Sequence, residues 1–92
     1  MSEPTMFVDD DDGYRRWIYA HPSRFVINTL RGGSGGQPIL HSAICDHVAP
    51  RAEAHWTTGD YVKICGDKRI ALDLWAREQY GAFPTPCRNC EP

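Results

Sequence analysis

Two short-spaced pairs of metal-ligating residues constrain this chain more than any other feature. Cys87 and Cys90 lie in Pro86-Cys87-Arg88-Asn89-Cys90-Glu91-Pro92, and His41 and Cys45 lie upstream in Leu40-His41-Ser42-Ala43-Ile44-Cys45. Two such pairs separated by a globular stretch form the usual pattern of a structural zinc site. The chain has 92 residues. A domain of that size buries only roughly 60–65% of its unfolded surface, so its core is marginal and a metal staple would help it fold.

Zinc takes four tetrahedral ligands from thiolate and imidazole. Cys-x2-Cys supplies two thiolates from one turn, and His-x3-Cys supplies the other half. The full set is then His41, Cys45, Cys87 and Cys90. Cys65 is an alternative ligand to His41, because an all-thiolate set of Cys45, Cys65, Cys87 and Cys90 is equally good chemistry. Four protein ligands leave no position for water or substrate, so the expected role of the metal is structural and the chain is not expected to be an enzyme. His47 and His55, with Asp46, Glu53 and Asp60, are residue types that hydrolysis can use. No ββα pattern with an open metal position accompanies them. Lone histidines are usually structural or surface residues, so His21, His47 and His55 are given no metal role.

Composition narrows the compartment and the partners. Hydrophobic residues make up 41% and charged residues 24%, ordinary values for a globular domain. No apolar run approaches the roughly 18 residues that span a membrane. Met1 to Asp12 is polar and acidic, with neither a basic n-region nor an apolar h-region, so a cytoplasmic protein with reduced thiols is expected. The net charge is −2. Strong non-specific nucleic-acid binders usually have a domain pI above roughly 9. This chain, at about 6.0, does not have that overall balance.

The periodicity predicts one α+β domain over residues 1–92, with residues 1–10 as a flexible tail. Tyr14, Trp17, Ile18 and His21 recur at i, i+3, i+4 and i+7 after four aspartates that can cap and solvate a helix. Arg24 to Leu30, Pro38 to His41 and Asp60 to Cys65 read as strands, the first two joined by the Gly32–Gly36 loop. Alternation puts Val62 and Ile64 on one face of the third strand, with Tyr61, Lys63 and Cys65 on the other. Asp67 can cap a second helix from Lys68 to about Tyr80, with Ile70, Ala71, Leu74 and Trp75 as its apolar stripe and Gly81 as its C-cap. The expected fold is a three-stranded antiparallel sheet with two helices and a C-terminal zinc knuckle.

His41-x3-Cys45, the Thr57-Thr58 segment with a helix after it, and Tyr80-Gly81 leading to Pro86-Cys87-x2-Cys90-x-Pro92 resemble the small metal-binding module of the DNA-alkylation repair protein Ada. Related modules are appended to bacterial nucleases. The likeness runs from Ile39 to Pro92. It departs in the longer stretch between the ligand pairs, which adds the strand ending at Cys65, and in the longer link from Gly81 to Pro86. Met1 to Gln37 has no counterpart. Phe25-Val26-Ile27-Asn28-Thr29 and Tyr61-Val62-Lys63-Ile64-Cys65 also resemble small proteins of high-GC actinobacteria.

The Ada-type resemblance implies a zinc scaffold and raises nucleic acid as a partner, with the module an accessory to a nuclease or repair system. The resemblance supplies no binding residues; from the charges of the chain, Arg15, Arg16, Lys63 and Arg88 are the candidate phosphate contacts, within a wider set that adds Arg24, Arg31, Arg51, Lys68 and Arg69. Trp56, with Tyr61, is the candidate base-stacking aromatic. The alternative is a protein-interaction module with a purely structural zinc, anchored by aromatics such as Trp56 in its polar loop. No membrane partner and no small-molecule substrate are expected.

Overall fold

The computed structural model describes residues 4–30, 38–45, 47–48 and 56–92. Seven elements follow one another: β1 (Thr5–Phe7), α1 (Asp11–Ala20), β2 (Phe25–Leu30), β3 (Ile39–Ser42), β4 (Tyr61–Gly66), α2 (Arg69–Tyr80) and β5 (Thr85–Pro86). The strands form one sheet in the order β1-β4-β2-β3-β5. All pairings are antiparallel except β3 with β5, which is parallel. This corrects the expected three-stranded antiparallel sheet. The three expected strands are its middle, and each edge gains a strand too short to show a period. β1 comes from the segment read as a tail, and Met6 sits opposite Ile64 in the register. β5 contains Pro86, tolerated because an edge strand has one side without ladder bonds to make.

Both faces of the sheet are buried, so alternation alone cannot say which side is the inside. Ile27 is in register with Leu40 on one side and Ile64 on the other. These three pack with Val62 against Leu72 and Ala76 of α2. One residue along, Val26 is in register with His41 and Cys65. Val26 and Cys65 face the opposite way and pack with Phe7, Tyr14, Ile18, Ala43, Cys45, Val48 and Cys87. The cysteine-bearing turns and α1 therefore share one face, and α2 covers the other.

The α1 period reads correctly: Tyr14 and Ile18 are buried, and Trp17 packs beside them. Asp10 is the N-cap, its carboxylate accepting from the Gly13 N–H at 2.9 Å. A side chain at Gly13 would collide with that carboxylate, since a Cβ would lie 2.2 Å from Oδ2. Asp11 clamps the helix to the chain before β4. It accepts from the Thr57 N–H at 2.6 Å, the Thr57 hydroxyl at 2.7 Å and the Thr58 hydroxyl at 3.2 Å. Burial pushes the Asp11 carboxyl up, but these hydrogen bonds outweigh it and hold the group below its ordinary value. Hydrogen bonds to a charged group are worth about 1.5–3 kcal/mol. Asp11→Ala is thus expected to lower the urea-unfolding free energy by about 2 kcal/mol at pH 7. A carboxyl depressed in the native state stabilises above its unfolded pKa, near 3.9, and that increment is lost as pH falls further. The gap between wild type and variant should therefore close in acid.

The α2 face does not follow the expected stripe. Leu72 and Ala76 are buried, with Trp75 and Tyr80 packed alongside. Ile70 is 60% exposed and Leu74 49% exposed. The helix has two apolar stripes, and tertiary packing selects between them. Gly66, at the end of β4, leaves a seat that Leu72 fills: a Cβ there would lie 3.1 Å from Leu72 Cδ2. The Tyr80 and Thr29 hydroxyls are 2.6 Å apart and tie the helix end to β2. Lys68, not Asp67, occupies the N-cap position and makes no side-chain cap bond. Gly81 is the C-cap as expected, at φ 75°, with its N–H donated to Arg77 O. Among the described residues no helix is long and apolar enough to cross a membrane. The Gly32–Gly36 loop, and Arg31, Asp46, Arg51, Glu53 and His55, lie outside the described residues.

Candidate metal centre

Parallel pairing of β5 with β3 brings the two ligand pairs together. Parallel neighbours run the same way, so the residues that follow them emerge at the same sheet end. Ile39 is in register with Thr85 and Leu40 with Pro86. Thr85 N–H donates to Pro38 O at 2.9 Å, and Cys87 N–H to Leu40 O at 2.8 Å. His41, near the end of β3, thereby stands beside Cys87 just after β5. Each chain then turns: Cys45 N–H donates to Ser42 O at 3.0 Å, and Glu91 N–H to Cys87 O at 3.0 Å. These turns carry Cys45 and Cys90 back over the pair.

The ligand atoms of His41, Cys45, Cys87 and Cys90 all lie within 4.8 Å of one another, so this cluster can hold a metal ion. Cys45 Sγ and Cys87 Sγ are 4.0 Å apart. Two thiolates on one tetrahedral zinc, each about 2.3 Å from it, stand roughly 3.8 Å apart. His41 Nδ1 is buried and has no hydrogen-bond partner, a costly arrangement for an imidazole unless an ion uses its lone pair. Burial is the largest influence on His41, followed by His47 and Lys63, and together they push its pKa down to about 4. The ring is neutral at pH 7, the form that ligates. Burial raises the Cys87 thiol, but hydrogen bonds from the Cys90 and Asn89 backbone, His47 and Cys45 outweigh it and bring it to about 7.

Each sulfur meets an N–H. Asn89 N–H points at Cys87 Sγ (3.3 Å), Ser42 N–H at Cys90 Sγ (3.3 Å), and the Asn89 side-chain amide at Cys45 Sγ (3.6 Å). Such donors spread thiolate charge and orient ligands. Cys65 is outside the cluster. Val26 on β2 separates it in register from His41, and two strand spacings amount to roughly 9.6 Å. It is 1% exposed and part of the α1-side core, and burial pushes its thiol pKa up.

The candidate nucleic-acid residues differ in exposure. Lys63 is only 4% exposed. Its ammonium donates to Trp56 O at 2.8 Å and lies 6.0 Å from the centroids of both the Tyr14 and Trp56 rings. Trp56 itself is half-buried against the core rather than free in a polar loop. Arg15 makes an exposed pair with Asp12 at 3.7 Å. Arg16 and Arg88 are exposed. Arg88 borders a groove of about 470 Å³ that also reaches His41, His47 and Cys87.

Burial lowers the Lys63 pKa to about 8, against the opposing pull of Cys65 and Asp11. Between that value and the unfolded value near 10.4, the unfolded chain holds more protons, so this group's contribution to stability rises with pH. The unfolding free energy of wild type relative to Lys63→Met is expected to rise from pH 8 to pH 10, as read by urea titration at each pH. A flat difference would place Lys63 in water.

One neighbour was missed from the sequence. His47 Nδ1 is 3.7 Å from Cys87 Sγ, and its ring stands edge-on to His41 with centroids 6.0 Å apart. The signal available was proximity in sequence: His47 follows Cys45 by two residues. Compared with known proteins, the chain matches no family model, no curated protein and no solved structure.

Proposed function

We propose that this chain is a small zinc-stabilised binding module, with His41, Cys45, Cys87 and Cys90 holding one Zn²⁺ in a closed structural site. The observation that carries this reading is the convergence of three sulfurs and the buried His41 imidazole, whose Nδ1 has no hydrogen-bond partner, at the junction of β3 and β5. Three thiolates and an imidazole suit zinc chemically, whereas magnesium or calcium requires oxygen ligands. With all four positions taken by protein, the metal acts as a staple and not as a Lewis acid.

Metal content by native mass spectrometry is the test. One zinc per chain is expected in wild type and in Cys65→Ala, and none in Cys87→Ala or His41→Ala. Zinc lost from Cys65→Ala but kept in His41→Ala would replace this ligand set with the all-cysteine one.

Nucleic acid is the partner this reading puts first, supported by exposed Arg16 and Arg88 and by the resemblance of the ligand pairs to the Ada-type module. Binding to short DNA and RNA should then weaken with salt and on Arg88→Ala. A protein partner is favoured by a different observation, the exposure of Ile70 and Leu74 on α2 and of Phe83 beyond it. Salt-insensitive association lost on Leu74→Glu would select that reading.

A further inference from the structure

We infer that His47 is an outer-shell positioning residue of the metal centre, donating its Nδ1–H to the Cys87 thiolate. This inference rests on the zinc reading above. His47 Nδ1 lies 3.7 Å from Cys87 Sγ, within reach of an N–H···S hydrogen bond. A metal-bound thiolate carries lone pairs and no proton, so it can only accept. The imidazole must then present N–H toward it, which fixes the tautomer.

Charge explains what the bond does. Three thiolates, a neutral imidazole and Zn²⁺ sum to −1, in a cluster whose sulfurs are mostly buried. Excess charge in a dry site is costly, and donors aimed at the sulfurs reduce that cost. Cys45 and Cys90 each receive one N–H from a neighbouring turn. Cys87 receives the Asn89 and Cys90 backbone amides and, alone of the three, borders the groove shared by His47 and Arg88. His47 covers that sulfur on its groove side. Its ring is exposed, so its removal opens no cavity in the core.

The test is metal affinity, measured by competition with a chromophoric chelator, in wild type, His47→Ala and His47→Gln. His47→Ala should bind Zn²⁺ about 10–100-fold more weakly, as expected for an outer-shell partner. His47→Gln, which keeps an N–H donor on a side chain of similar reach, should recover much of the loss. Cobalt-loaded protein gives a readout that a merely structural role would not move: the thiolate-to-metal charge-transfer band should shift in His47→Ala and return in His47→Gln. Unchanged affinity and band in His47→Ala, with wild type still holding one metal, would overturn this inference alone. A wild type that binds no metal would overturn the zinc reading itself.

Discussion

Stripping the metal from wild-type protein with a strong chelator at pH 7 is expected to abolish the cooperative unfolding transition, and added Zn²⁺ is expected to restore it. Structural zinc in small peptides contributes an apparent 10–16 kcal/mol at neutral pH, whereas a whole domain has a net stability of about 5–15 kcal/mol. Removing a term of that size from so small a domain leaves little margin. The damage should spread from the knuckle. Cys45 and Cys87 are part of the α1-side core, together with Tyr14, Val26 and Val48. Three unligated thiols and an imidazole would remain where the proposed ion would hold them together. β5, only two residues long, is held beside β3 by bonds such as Thr85 N–H to Pro38 O and Cys87 N–H to Leu40 O, so it should detach first. Circular dichroism and tryptophan fluorescence during chelation provide the measurement. A metal-free chain with an unchanged melting curve would show that the two cores suffice alone.

The second large effect is expected at Tyr14. Its ring is fully buried, edge-on to Phe7 with centroids 6.0 Å apart and tilted against Trp56 at 6.4 Å. Its hydroxyl donates to Val48 O, linking α1 to the turn that follows Cys45. Burial is the main reason its pKa lies above the ordinary value. Truncating a large buried aromatic costs about 3–5 kcal/mol, so Tyr14→Ala should lose that much in urea-unfolding free energy with zinc bound. Tyr14→Phe separates the two contributions. It keeps the ring and leaves a buried carbonyl without its donor, for about 1–3 kcal/mol. Because the hydroxyl steadies the Cys45–Val48 turn, Tyr14→Phe should also weaken zinc binding modestly. A neutral Tyr14→Ala would mean that α1 does not pack on the sheet as described.

Much of the local structure was legible in the chain because it depends on neighbours in sequence. The α1 period, the strand cores around Val26-Ile27 and Val62 to Ile64, and the Gly81 cap all read directly from spacing and backbone preference. So did the short-spaced ligand pairs, since His-x3-Cys and Cys-x2-Cys each close within one turn. β1 and β5 were not legible, because two or three residues carry no measurable period. The buried side of α2 was not legible either. Ile70 and Leu74 form as good a stripe as Leu72 and Ala76, and only the seat above Gly66 separates them.

The choice of His41 over Cys65 could not be made from spacing, since both satisfy zinc chemistry. Strand order decides it. β2 lies between β3 and β4, so Cys65 stays in the core two strands away, while β5 joins β3 on its free side and brings Cys87 beside His41. The same packing turns Lys63 inward, away from any phosphate, and brings His47 against Cys87. The sequence by itself determined which residue types could meet a metal and where the two helices and the three middle strands would form, because those depend on chemistry and short-range spacing. Only the tertiary structure decided which candidates meet, because strand neighbours and helix faces are chosen by packing between segments far apart in the chain.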